Sequence, residues 1–243
     1  MTLNVLLIVA AASLIIGLSK GGLGPGAGML VTPLLSLAMP VPEAVAMALP
    51  LLLLGDFFAL RLYWKQWSPY HIRLLLPFSV VGVLLGIAVL ASLPDAALRI
   101  LLAVFTLIAV AYKTVSDRIS SLTYRHHNWH AYLAGGASGF TSAVANAGAP
   151  PFTTYMLLQK VSPVEFIGTT TLFFITVNLI KLPTMITAGF MDISDFGGVL
   201  LGVPLVLAGA WLGRRFIDMV QPRVFDGIMT GMLVLAAVML LAK

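Results

Sequence analysis

The chain has 243 residues, of which 60% are hydrophobic and 9% charged, against the roughly 25% charged residues of ordinary soluble domains. With a mean hydropathy of +1.03, it reads as an integral membrane protein, and the lipid bilayer is its first partner. It has no cysteine, which excludes disulfides, thiolate metal sites, haem attachment and a cysteine nucleophile. The formal charge of +5 does not point to nucleic acid, because Lys and Arg in a membrane protein mainly set topology.

Residues 1 to 18 lack a basic leader and the hydrophobicity continues beyond them, so the first stretch is expected to be a membrane segment and not a cleaved signal. Apolar runs follow at about 3–19, 27–38, 43–62, 74–92 and 96–113. A basic connector with His126, His127 and His130 comes next, and runs resume at about 131–148, 150–159, 164–187, 196–213 and 224–242. None shows the period-two alternation of barrel strands, so the fold class is an all-α polytopic membrane protein of eight to ten segments. The second and seventh runs are too short to span, and Gly/Pro-interrupted segments in matching places are the mark of broken transporter helices.

The chain matches itself. A shift of 122 brings Gly17 onto Gly139, Gly26 onto Gly148, Thr32 onto Thr154, Glu43 onto Glu165 and Asp56 onto Asn178, and a slightly larger one brings Pro77, Gly82 and Gly86 onto Pro204, Gly209 and Gly213. We read two homologous membrane halves, 1–113 and 131–243, joined by a basic cytoplasmic connector at 114–130. If the short runs count as segments, the halves are inverted; if they fold back, the halves are parallel. Inversion puts Lys20, Arg61, Lys65, Arg73, Lys113, Arg118, Arg125, Lys160, Arg214, Arg215 and Arg223 on one side, as the positive-inside rule prefers, so inverted repeats with both termini outside are expected.

The glycine-crowded stretch Gly17 to Pro33 and its counterpart Gly139 to Pro151 cannot be continuous helix. At membrane depth their free N–H and C=O groups must face protein or a cavity. Exposed N–H groups at Gly24, Gly26, Gly28 and Gly148 suit an anion, and Ser19, Thr141, Ser142, Asn146, Thr153 and Thr154 add neutral hydrogen bonds. Lys20 adds a full charge. The competing reading is that these small residues only let helices pack closely.

Asp56 lies deep in an apolar run, where an ionisable group is a functional candidate by default. It can shuttle a proton, pair with a lysine of the other half, or make a structural hydrogen bond. Its counterpart Asn178 is neutral, and Lys181, one turn on, either attracts an anion or snorkels to the interface. Asp56 and Asn178 are the coupling candidates. Ser162-Pro163-Val164-Glu165 has the form of a capping box, and Glu43 sits at a related helix start, so both glutamates read as structural. Thr169, Thr170 and Thr171 put hydroxyls on successive faces, so at least one must face protein.

Enzyme readings fail on spacing. Gly136-Ala137-Ser138-Gly139 matches the serine motif of rhomboid proteases, but no histidine follows His130 to act as base. No P-loop and no dinucleotide fingerprint is present. The connector histidines have no carboxylate or thiol placed to complete a metal site. No enzyme activity, cofactor or metal is expected.

Gly17 to Leu35 carries the spacing G-x-x-x-G-x-x-G-x-G-x-G followed by Pro33-Leu34-Leu35, Gly135 to Leu157 carries a diverged second copy, and a proline–glutamate helix start follows each. In these features the chain resembles the TauE/SafE family of membrane transporters over nearly its whole length. Pro25 and Ala27 replace residues that are often glycine there, and the second copy has Asn146 to Pro151 in place of a glycine run. The resemblance implies a secondary transporter of a small anion such as sulfite, a sulfonate or another sulfur oxyanion, outward across a prokaryotic inner membrane. An anion channel or a non-transporting scaffold is the alternative, and a homo-oligomer is left open.

Overall fold

The computed structural model describes residues 3–20, 28–119, 127–159, 161–191, 202–216 and 222–242. Ten helices and no strand occur among them: α1 Leu3–Leu18, α2 Val31–Ser36, α3 Val41–Leu62, α4 Pro69–Ser92, α5 Asp95–Ile119, α6 Asn128–Ala145, α7 Ala149–Leu158, α8 Pro163–Thr187, α9 Val203–Phe216 and α10 Pro222–Leu241. The class is the one expected. α3, α4, α5 and α8 are long and apolar enough to cross a bilayer, and α1 and α9 are shorter apolar helices. Large apolar side chains such as Leu85, Ile100, Trp211 and Leu235 stand exposed, as a lipid-facing surface requires.

The expected starts and stops are built from backbone chemistry. Pro42 in the first turn of α3 and Pro163 in that of α8 have no N–H to leave unpaired. Ser162 accepts from the Glu165 backbone N–H at 3.2 Å, as the capping box predicts. At α3 the cap comes from elsewhere, for the Val41 N–H donates to the Asp95 carboxylate at 2.8 Å. Arg99 grips the other oxygen of Asp95 at 2.6 Å and donates to the Ser36 carbonyl at 2.7 Å. One Asp–Arg pair on α5 thus ties the end of α2 to the start of α3.

Close packing rests on glycine. α4 lies against α6, and α1 against α9. A Cβ on Gly82 would run into the Gly136 carbonyl, and one on Gly139 into that of Ser79. Likewise a Cβ on Gly209 would meet the Leu14 carbonyl and one on Gly17 that of Val206. Only glycine allows backbones this near. The two sets correspond residue by residue under the two shifts read from the sequence.

Directions follow from the same contacts. Along α4 and α6, Leu75 faces Gly135, Ser79 faces Gly139 and Gly86 faces Ala143, so the two run parallel. α3 and α8 run antiparallel: Asp56 meets Asn178, while Gln66 meets Gly168 and the Ser68 N–H donates to Thr169 at 2.9 Å. The largest apolar cluster, with Leu49, Leu75, Leu98, Phe152 and Phe173, gathers α3, α4, α5, α7 and α8 around this crossing. A second, with Ile16, Leu35, Ala48 and Val206, joins α1, α2, α3 and α9.

Candidate functional site

Two helix ends meet in the interior. α1 opens into a wider turn at Ser19 and Lys20. α6 stops at Asn146, which takes the left-handed conformation with φ 53° and ψ 25°. Asparagine tolerates that conformation better than most residues. Its N–H donates to the Ser142 carbonyl at 3.0 Å, and that of Ala147 to the Thr141 carbonyl at 3.2 Å, which closes the helix end. Gly148 follows because a Cβ there would strike the Ser138 carbonyl and Phe174. The Ser138 hydroxyl donates to the Gly148 carbonyl at 2.6 Å, and α7 begins with Ala149 and Pro150.

Between these helix ends is a cavity of about 60 Å³, walled by Ser19, Lys20 and Gly28 near the end of α1 and by Ser142, Asn146 and Asn178 of α6 and α8. That is several times the ~10–15 Å³ a single water needs. Met29, Leu52, Ala149 and Phe174 make the apolar part of the wall.

The polar groups are fully ordered by one another. Lys20 forms an ion pair with Asp56, which is completely buried. The Asn178 amide donates to the second Asp56 oxygen at 2.8 Å. Lys181, also completely buried, donates to the Ser142 carbonyl at 2.8 Å and to the Asn146 amide oxygen at 2.5 Å, with the Ser142 hydroxyl at 3.5 Å. The Asn146 amide nitrogen in turn donates to the Thr32 hydroxyl at 3.0 Å and the Val45 carbonyl at 3.2 Å. Only one amide orientation serves a lysine on one side and two acceptors on the other. Asn146 therefore ties α8 to α2 and α3 across the site.

Six expected residues thus come together at the cavity: Ser19, Lys20, Gly28, Ser142, Asn146 and Asn178. Asp56 and Lys181 sit just behind them. The partner of Asp56 is Lys20, not a lysine from beyond the connector, and Lys181 is bound in the interior and does not snorkel. Three threonines face elsewhere or are otherwise engaged: Thr141 donates to the Ala137 carbonyl and Thr154 to that of Pro150, both at 2.8 Å, and half-buried Thr153 is not part of the wall. Gly148 packs beneath the site. Gly24, Gly26, Lys160 and His126 lie outside the described residues. Among the described residues no three His, Asp or Glu side chains gather as a metal ion would require.

Sequence reasoning overlooked Thr32 and Ser138. Thr32 matches Thr154 under the repeat shift, but nothing in its spacing announces the Asn146 side chain as its partner. The serine of the rejected protease motif has a structural task, holding the carbonyl of Gly148 at the start of α7.

A family model described as sulfite exporter TauE/SafE matches residues 9–240. No curated protein and no solved structure matches the chain.

Proposed function

Since the chain belongs to the sulfite exporter TauE/SafE family, whose members are membrane transporters and not enzymes, we propose that it is a secondary transporter carrying a small anion, sulfite, a sulfonate or another sulfur oxyanion, outward across the inner membrane. The observation that carries this reading is the cavity between the two broken helix ends, where Lys20, Ser19, Ser142 and Asn146 converge. A hydroxyl-lined pocket with a lysine suits an oxyanion, and its apolar wall lowers the dielectric so that each charged hydrogen bond is stronger.

The halves 1–113 and 131–243 are inverted repeats in this reading, with 114–130 as the cytoplasmic connector. The antiparallel course of the equivalent helices α3 and α8 supports inversion over parallel halves. Equivalent residues Asp56 and Asn178 touch each other, which is expected only where a pseudo-two-fold axis passes. The matched glycine contacts of α1 with α9 and of α6 with α4 mean that the first helix of each half docks on the other half. Alternating access then rocks these crossed units about the axis, opening the cavity to each side in turn.

Purified protein in liposomes is the test. Saturable sulfite or sulfonate flux with counterflow is expected of a carrier. Flux without saturation or counterflow would make it a channel, and absence of both anion flux and anion binding would leave a membrane scaffold.

A further inference from the structure

The charges around the cavity do not balance. Lys181 is completely buried, and three oxygens, two from Ser142 and one from Asn146, receive the three protons of its ammonium. Lys20 is a second ammonium, with 27% of its side chain exposed where it reaches the cavity. Against these two stands Asp56, the one buried carboxylate among the described residues, with both oxygens already engaged by Lys20 and Asn178. With both lysines protonated, the side chains around the cavity carry one more positive than negative charge, a costly state in a low-dielectric interior that one negative charge relieves.

Resting on the reading that this cavity holds the transported anion, we propose that the site is matched to one net negative charge. A singly charged oxyanion, such as a sulfonate or hydrogen sulfite, enters as it is. A doubly charged one enters only together with a proton that is taken from water onto Asp56. Protonation of the Asp56 oxygen removes its charge and releases the Lys20 ammonium to face the second negative charge. When the anion leaves, the proton returns to water and the ion pair re-forms.

The groups facing Asp56 define the switch. Lys20 comes from the end of α1, and Asn178 with Lys181 from α8. α2 holds no titratable side chain, and α6 presents Ser142 and Asn146. On α5, Asp95 and Arg99 are paired with each other at the start of α3. On α9, Arg215 packs over Trp211, beyond the Val206 turn that meets Gly17. The Asp/Asn difference at the meeting point of the halves thus sets the valence of the cargo: a second aspartate there would cancel the site's charge.

Two sulfur anions of similar shape and fixed charge provide the test, methanesulfonate with one negative charge and sulfate with two. Binding to the full-length protein is measured over a pH series, with proton uptake read in weakly buffered solution. Methanesulfonate should bind without proton uptake; sulfate should take up one proton per anion bound and weaken as pH rises. In Asp56→Asn the sulfate-to-methanesulfonate affinity ratio should rise about tenfold, since one misplaced charge in a low-dielectric site is costly, and proton uptake should vanish. Sulfate binding with no proton uptake, or an unchanged ratio in a folded Asp56→Asn, overturns the charge rule while leaving the anion site intact. If neither anion binds the wild type, the anion-site reading itself fails and the rule with it. Should the variant not fold, the proton count on the wild type decides alone.

Discussion

Asp56 and Asn178 touch: the Asn178 amide donates to the Asp56 carboxylate at 2.8 Å across 122 positions of sequence. The same shift aligns the two glycine-crowded breaks, so the residue that matches Asp56 in the repeat is also its neighbour in space. This crossing of α3 with α8 and the glycine contacts of α4 with α6 and α1 with α9 support different functions, and substitutions separate them.

The glycine contacts are structural. Gly82→Ala and Gly209→Ala each force a methyl group into the backbone of the facing helix, and each should cost about 1–3 kcal/mol as overpacking does. Gly231→Ala, where nothing lies within 4 Å, should not destabilise. Thermal unfolding in detergent checks this, and a Gly82 variant as stable as the Gly231 variant would contradict the packing.

At Asn146, backbone and side chain can be told apart. Asn146→Ala loses every side-chain hydrogen bond and also places an alanine at φ 53°, a left-handed conformation that costs roughly 1–2 kcal/mol. Asn146→Gly removes the same bonds without that strain. Both variants should lose anion flux to a similar extent, but the glycine variant should unfold later. Full flux in the glycine variant would remove Asn146 from the site.

Much of this was legible beforehand because it rests on local rules. Helix starts at Pro42 and Pro163, the capping serine Ser162 and the break after α6 follow from backbone chemistry, whereas the repeat shift aligned Asp56 with Asn178 without announcing their contact. What was not legible depends on which face of a helix turns inward. Thr141 and Thr154 satisfy their hydroxyls on their own helices, a choice open to any helical threonine. The choice of Lys20 over Lys181 as the partner of Asp56 depends on how α1 crosses α3, and Asp95 caps α3 from a helix that begins more than fifty residues later. No spacing rule reaches that far.

Lys181 separates binding from folding. Replacing a buried, well-bonded ammonium by Met of similar length removes its desolvation cost, but leaves the Asn146 amide oxygen without this donor. An orphaned buried acceptor costs about 1–3 kcal/mol, partly offset by the lost desolvation, so Lys181→Met should be only modestly destabilised. Anion binding should nevertheless fall about tenfold or more, since a buried charge near the anion is lost. Calorimetric titration with methanesulfonate, set beside a melting curve, reads the two effects separately; unchanged affinity would show that Lys181 serves packing alone.

The Asp95–Arg99 pair should act through the α2–α3 turn and not through the cavity. Arg99→Ala removes the bonds to Asp95 and to the Ser36 carbonyl, and Asp95→Ala removes the cap on Val41 as well. Charged hydrogen bonds are worth about 1.5–3 kcal/mol when shielded, and the Asp95 side chain is 37% exposed, so screening reduces the pair and a loss of about 2 kcal/mol is expected for either alanine. Asp95→Asn keeps an oxygen for the Val41 N–H and should lose less. At the start of α8 the Ser162 side chain caps the helix, and Ser162→Ala should cost about 1 kcal/mol as a lost N-cap. Because α2 carries Thr32, which receives the Asn146 amide, loosening its end should also weaken anion binding in Arg99→Ala, though less than Lys181→Met does. Melting curves and anion titrations on the four variants test this order, and an Asp95→Asn protein as unstable as Asp95→Ala would show that the ion pair, not the cap, holds the turn.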